Sequence, residues 1–264
     1  MKTSLLKGWA DNMKNLLKLE FRKMRKQKSF YICTLVMIGL LFLSVLTANA
    51  LLTGNHAALA GTFAASGIDT AINAVNNSSF LMIAGIFVAI FVCNDYEQQT
   101  IKNIYARGYS RKQVYLSKLL AVWIGTTVMF VIVLLFAFIC GTAYFGTGAF
   151  AGLRVIRILA VQYAACMANM SLCFLVSSLL RKNGSSIAAT IVAPMLVNML
   201  LGMLDSFMKL KEFSVTSVWV SSFMGDLSSL SVSSGRLSVC LIASLFYMAA
   251  FAVAGIASHK KIEL

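Results

Sequence analysis

Residues 30–50 read FYICTLVMIGLLFLSVLTANA, twenty-one in a row without a charged side chain. A helix of about 20 apolar residues spans the hydrocarbon core of a bilayer, and a helix satisfies its own backbone polar groups there. Working outward from this run, five more apolar stretches follow: Ser78–Cys93, Leu116–Gly141, Ile158–Leu180, Ile187–Leu204 and Leu237–Ala257. Ser78–Cys93 is the shortest, and its helix is expected to begin several residues earlier, in Gly67–Asn77. The fold class that follows is an all-α polytopic membrane protein with six transmembrane helices.

Composition supports the same reading. The 264 residues are 59% hydrophobic and 12% charged, with a mean hydropathy of +0.81. A soluble domain carries about 25% charged residues, so too few polar groups remain to cover a water-facing surface. The net charge of +14 would suggest nucleic acid in a soluble chain. Here its distribution explains it. Nine cations precede the first span: Lys2, Lys7, Lys14, Lys18, Arg22, Lys23, Arg25, Lys26 and Lys28. The first loop, Leu51–Asn77, has none, and the second has Lys102, Arg107, Arg111, Lys112 and Lys118 at its edge. Arg154 and Arg157 lie in the third loop, Arg181 and Lys182 in the fourth, Lys209, Lys211 and Arg236 in the fifth, and Lys260 and Lys261 in the tail. Alternate regions thus hold eighteen against five, and the positive-inside bias puts both termini in the cytoplasm. No nucleic-acid partner is expected.

Ala48-Asn49-Ala50 after a basic leader imitates a signal-peptide cleavage site. The leader is too long and the apolar run exceeds the roughly 7–15 residues of such a segment, so cleavage is not expected. Within residues 1–29, Leu6, Trp9, Met13, Leu16, Leu17, Phe21 and Met24 recur at helical spacing, with Lys7, Lys14, Lys18, Arg22 and Arg25 on another face. That pattern predicts a basic amphipathic helix lying on the inner leaflet.

The second loop, residues 94–115, carries local helix signals. Asp95 with Gln98, and Ser110 with Gln113, each resemble a capping box. Gly108 is placed to end a helix in the left-handed conformation. A short helix over about Tyr96–Arg107 is expected, then a turn and a helix from Arg111 into the third span. Ile101, Ile104 and Tyr105 would give the short helix an apolar face, which either a partner or the chain's own helices must cover, since so short a helix is marginal alone.

Several chemistries are excluded or left without support. No G-x-x-x-x-G-K-[ST] loop exists and no Gly-Lys pair occurs, so the chain is not a P-loop ATPase and no cofactor is expected in it. There is no H-E-x-x-H, and the only histidines are His56 and His259. The six cysteines form no C-x-x-C pair and read as buried hydrophobes. Neutral polar groups do occur deep in the spans: the side chains of Gln162 and Asn169 in the fourth and Asn198 in the fifth, and the backbone groups that Pro194 frees one turn before Asn198. They line a transport path or make interhelical hydrogen bonds, and the latter is the commoner role. Lys118 is expected to snorkel to a membrane face. Residues 205–236, with Phe207, Phe213, Trp219 and Phe223, are too broken for a seventh span.

Glu97, Thr100, Ile101-Lys102-Asn103, Gly108, Ser110-Arg111 and Lys118 resemble the cytoplasmic segment of type-2 ABC exporter permeases, including the bacitracin and lantibiotic-immunity group. Leu17–Lys23 looks similar to the leader of that family. A glycine common before the threonine is Gln99 here. The resemblance implies a multi-pass permease of the bacterial plasma membrane that exports a substrate, such as an antimicrobial peptide or another amphipathic compound. It implies a coupling helix carrying Glu97, Thr100, Ile101, Lys102, Ile104, Tyr105, Arg107, Gly108 and Arg111, which docks on a separate ABC ATPase subunit that binds the ATP and Mg. Residues 1–29 would be the connecting helix, and residues 30–264 the transmembrane domain. The permease would pair with itself or a second permease, and 205–236 would be an outer loop or re-entrant hairpin. The competing classes are a secondary carrier and a membrane enzyme or assembly factor working without an ATPase.

Overall fold

With a single proline in the chain, Pro194, almost nothing interrupts the apolar runs, and each forms a helix. A computed structural model describes residues 2–53, 66–148, 152–208, 219, 222, 227 and 233–261, with the side chains of 2–11, 53, 208 and 259–261 left out. Among the described residues the order is α1 (Lys2–Lys26), α2 (Lys28–Thr53), α3 (Gly67–Asn76), α4 (Ser78–Glu97), α5 (Thr100–Ala106), α6 (Arg111–Phe145), α7 (Gly152–Leu180), α8 (Asn183–Met208) and α9 (Ser234–Lys261). Six of these, α2, α4, α6, α7, α8 and α9, are long and apolar enough to cross a membrane. Each contains one of the spans expected from sequence.

α4 does not begin early. Gly67–Asn76 forms a separate helix, because Asn77 is extended (φ −69°, ψ 136°) and its side-chain oxygen accepts the Ser79 N–H, which starts α4 anew. α3 starts at Ser66, whose hydroxyl oxygen accepts the Asp69 N–H. It buries Ile68, Ala71, Ile72 and Val75 and packs along the far end of α6. That crossing is close because Gly141 has no side chain: a Cβ there would lie 2.7 Å from the Thr70 Cβ and 2.9 Å from the Gly67 Cα.

α7 is the centre of the bundle, packed against α4, α6, α8 and α9. Its buried residues include Ala164, Ala165, Cys166, Ala168, Ser171 and Cys173. Small side chains let helices approach where apolar burial gives no net drive, since lipid is as apolar as leucine. Larger groups fill the gaps in edge-to-face pairs, Phe30 with Phe87 (5.4 Å) and Tyr115 with Phe174 (5.0 Å). The outward surfaces of α2, α8 and α9 carry exposed apolar side chains such as Leu35, Met195 and Phe246, as a lipid-facing perimeter requires.

α1, the α4–α6 connection, the α7–α8 turn and the C-terminal part of α9 all lie at one end of the bundle. Gly255 of α9 sits directly against Tyr115 of α6 at that end. The cation-rich segments therefore share one end, as the charge count requires. α6 has 35 residues, about 52 Å at 1.5 Å per residue. That is well beyond a ~30 Å core, so part of it extends past the hydrocarbon. Most of residues 209–232, where the outer loop or hairpin was expected, fall outside the described residues. Trp219, within that stretch, packs edge-to-face on Tyr247 at 5.7 Å.

Candidate coupling site

α4 continues through Asn94, Asp95, Tyr96 and Glu97 before it breaks. The expected capping box at Asp95 and Gln98 does not form, because Asp95 is inside the helix and its carboxylate is used elsewhere. Gln98 instead donates to the Asn94 side-chain oxygen at 3.0 Å. The turn is made at Gln99, left-handed at φ 54°, ψ 17°, a conformation that favours the glycine of the family pattern. Thr100 locks it: its hydroxyl donates to the Asp95 carboxylate at 2.9 Å and lies 3.1 Å from the Asp95 carbonyl. α5 then runs only from Thr100 to Ala106, shorter than the expected Tyr96–Arg107. Gly108 turns at φ +84°, and Ser110 and Gln113 form the expected box that starts α6.

α5 is held by the chain's own helices. Ile101 and Ile104 are buried, and Ile104 packs with Leu16 of α1 and Val114 of α6, flanked by Tyr105 and Tyr109. Burial pushes the Tyr105 phenol above its ordinary pKa. Two residues of the coupling set are thus turned inward. Glu97, Lys102, Arg107, Gly108 and Arg111 remain exposed, with Thr100 and Tyr105 half-buried.

The centre of the site is a cluster of four charges, three buried and one half-buried, that sequence reasoning missed. Lys118 does not snorkel. It is 2% exposed, ion-paired to Asp95 and 3.4 Å from a Glu20 carboxylate oxygen. Lys23 reaches Asp95 at 3.1 Å and Glu20 at 3.5 Å. Glu20 is fully buried and Asp95 6% exposed. Two carboxylates face two ammonium groups, so the cluster is neutral as a whole. Removing each ion from water costs several kcal/mol, roughly offset only while every partner is present. Through it α1 (Glu20, Lys23), α4 (Asp95), α5 (Thr100) and α6 (Lys118) are joined by side-chain contacts. A signal was available: Glu20 lies one turn from Leu16 and one from Met24, an acid in the middle of the leader's inward stripe. The cations Lys14, Lys18, Arg22 and Arg25 face outward.

A second link runs from the end of α4 to α8. Glu97 accepts hydrogen bonds from the backbone and side-chain N–H groups of Asn183, the first residue of α8. An anion there also suits the positive end of the helix. Arg181, left-handed at φ 58°, places its guanidinium 5.3 Å from the centre of the Tyr96 ring.

Gln162, Asn169, Pro194 and Asn198 separate into two groups. Gln162 donates to the carbonyls of Ile72 and Leu227 at 3.3 and 3.1 Å and so ties α7 to its neighbours. Asn169, Pro194 and Asn198 meet instead in a cleft of about 640 Å3 between α4, α7 and α8.

These features define a polytopic helical membrane protein whose charged end is organised around a short helix. The profile of the ABC-2 family transporter proteins matches residues 16–205, from Leu16 in α1 to Asp205 in the last turn of α8. The chain belongs to the ABC-2 transporter family and is a membrane component of the permease type. No curated protein matches it.

Proposed function

We propose that this chain is the permease subunit of an ABC exporter in the bacterial plasma membrane, of the kind represented by the bacitracin and lantibiotic-immunity permeases. It pairs with itself or a second permease and with a separate ABC ATPase that binds ATP and Mg. The charged end faces the cytoplasm. The ATPase docks on the exposed side of the α4–α6 connection, with Lys102, Arg107 and Arg111 as its charged contacts and Glu97, Thr100 and Gly108 beside them. Ile101, Ile104 and Tyr105 hold the helix in place from behind.

The observation that carries this reading is the neutral, largely buried cluster of Glu20, Lys23, Asp95 and Lys118. A force on α5 reaches Asp95 through Thr100, and from there α1 and α6 together. Glu97 passes the same motion to α8, which lines the cleft with Asn169. Cargo of an amphipathic kind, an antimicrobial peptide among the candidates, fits a path with neutral polar groups in an apolar wall. A switching transporter needs two rigid arrangements separated by a small energy gap, and a rigid handle is what lets a partner bias them.

Mild-detergent purification of the tagged chain with mass spectrometry tests this. A P-loop ATPase is expected with the wild type and is expected to be lost with Arg107→Glu and Arg111→Glu combined, at unchanged permease yield. Wild-type chain purified from its native membrane with no nucleotide-hydrolysing companion would contradict it.

A further inference from the structure

Arg157 is an exposed cation near the start of α7. Further along α7 the Ser177 carbonyl meets Cys93, two residues before Asp95. Arg157 lies twenty residues before Ser177, about 30 Å along the axis, and so at the end of the bundle opposite the charge cluster. It makes no ion pair or hydrogen bond among the described residues. Its neighbours Leu153 and Ile156 are 63% and 59% exposed, so this side of α7 meets acyl chains. α7 has 29 residues, about 43 Å against a hydrocarbon core of about 30 Å. With the excess shared between its two ends, the core begins about 7 Å in. Arg157 is five residues past Gly152, about 7.5 Å, which puts it where hydrocarbon meets headgroups.

Arg157 also opens onto a cleft of about 250 Å3 between α7 and α9, with Ser234 and Ser238 on its other side. Buried Val161 and Leu237 form the floor, and Leu241 continues it as an apolar wall. The Ser238 hydroxyl donates to the Ser234 carbonyl at 3.2 Å, while the Ser234 hydroxyl has no partner among the described residues. No carboxylate lines the cleft among the described residues. A guanidinium stays charged and presents a fork of donors that matches a phosphate edge. One cation with no acid beside it calls for one negative charge, which a phosphodiester carries. Inorganic phosphate has nothing to lay on Val161, Leu237 and Leu241. A choline or ethanolamine head would bring a second cation that finds no counter-ion here. A head of hydroxyl groups instead exchanges hydrogen bonds with Ser234 and Ser238.

We infer that the α7–α9 cleft binds a membrane phospholipid whose head is otherwise uncharged, such as phosphatidylglycerol, with its phosphodiester on Arg157 and the start of an acyl chain along Leu237 and Leu241. The lipid comes from the leaflet opposite the coupling end. Binding needs neither cargo nor ATPase and so stands apart from the exporter reading.

The test uses the full chain in phosphatidylcholine nanodiscs without any ATPase, with a trace of phosphatidylglycerol carrying a photoreactive diazirine at the headgroup end of one acyl chain. Labelled peptides are mapped by mass spectrometry. Only residues 153–161 and 237–241 are scored, because the cations of α1 attract the same lipid at the other end. Both segments should be labelled. Unlabelled phosphatidylglycerol should compete at about one-tenth the mole fraction that phosphatidylethanolamine needs, the scale of one charge-assisted hydrogen bond. Inorganic phosphate in the buffer should not compete. Arg157→Gln should lower labelling about tenfold, and Arg157→Lys by less, since it keeps the charge and loses the fork. Arg154→Gln makes the same charge change one turn away, outside the cleft, and should leave labelling unchanged. If Arg157→Gln fails to fold, Arg157→Lys and Ser234→Ala carry the comparison, each with a several-fold loss. Unlabelled segments, equal competition by phosphatidylethanolamine, displacement by inorganic phosphate, wild-type labelling in the Arg157 variants, or an equal loss in Arg154→Gln would each overturn the inference.

Discussion

Replacing Lys118 with methionine removes one of the two cations that neutralise Glu20 and Asp95. Lys23 remains, but it is about a third exposed and must then serve both carboxylates. The cluster becomes net negative around a fully buried Glu20. Breaking a buried ion pair by deleting one partner typically costs about 3–5 kcal/mol, most of it the stranded charge. Adding Glu20→Gln to Lys118→Met restores neutrality, with Lys23 still 3.1 Å from Asp95. The double variant should therefore recover about 2 kcal/mol relative to the sum of the single changes. Detergent unfolding curves for the wild type, both single variants and the double variant measure this coupling, and limited proteolysis within residues 12–26 reports release of α1. Additive single effects, or a loss below about 1 kcal/mol for Lys118→Met, would refute the idea that the four charges act as a unit.

Ile104→Asp should unseat α1 and lower stability by about 3 kcal/mol through an unpaired buried charge, because Ile104 packs on Leu16 and Val114. It would lose any ATPase for that reason, so the test of docking itself is charge reversal at exposed Lys102, Arg107 and Arg111. Glu97→Ala should cost only about 1 kcal/mol, the usual scale of a lost helix cap, while freeing the start of α8, seen as faster hydrogen exchange around Asn183. Deleting the residues before Gln27 removes Glu20 and Lys23 together and leaves Asp95 with Lys118, so the bundle should still insert, as judged by membrane extraction, while assembly with the ATPase fails. In a chain freed of native cysteines, one placed at Ala58 should react with an impermeant thiol reagent from outside and one at Asn103 only from inside.

The spans were legible because length and absence of charge decide them locally, and α2, α4, α6, α7, α8 and α9 contain the expected stretches. The Ser110–Gln113 box was legible for the same reason, its two partners being three residues apart. Asp95 was misread because its partners are not local: Lys118 is on the next long helix and Glu20 on the leader. Whether Ile101 and Ile104 face a partner or the chain itself depends on where α1 packs, and periodicity cannot supply that. Lys118 was expected at a membrane face because a lone lysine in a span has nowhere cheaper to go. Two acids inside the same end gave it a closer destination. Gln162 and Asn169 share a face of α7 but lie two turns apart in depth. One meets backbone carbonyls and the other meets a cleft, a difference in neighbours that spacing does not encode.

The central claim is that the leader and the α4–α6 connection move as one body when the partner ATPase works. Spin labels at exposed Lys18 and Asn103 measure it in the purified complex, with and without trapped ATP and Mg. The Lys18–Asn103 distance should hold constant while both shift relative to a label at exposed Phe246 of α9. A change between Lys18 and Asn103 of about 5 Å, the size of a one-turn helix shift, with all four charges of the cluster intact, would contradict the account.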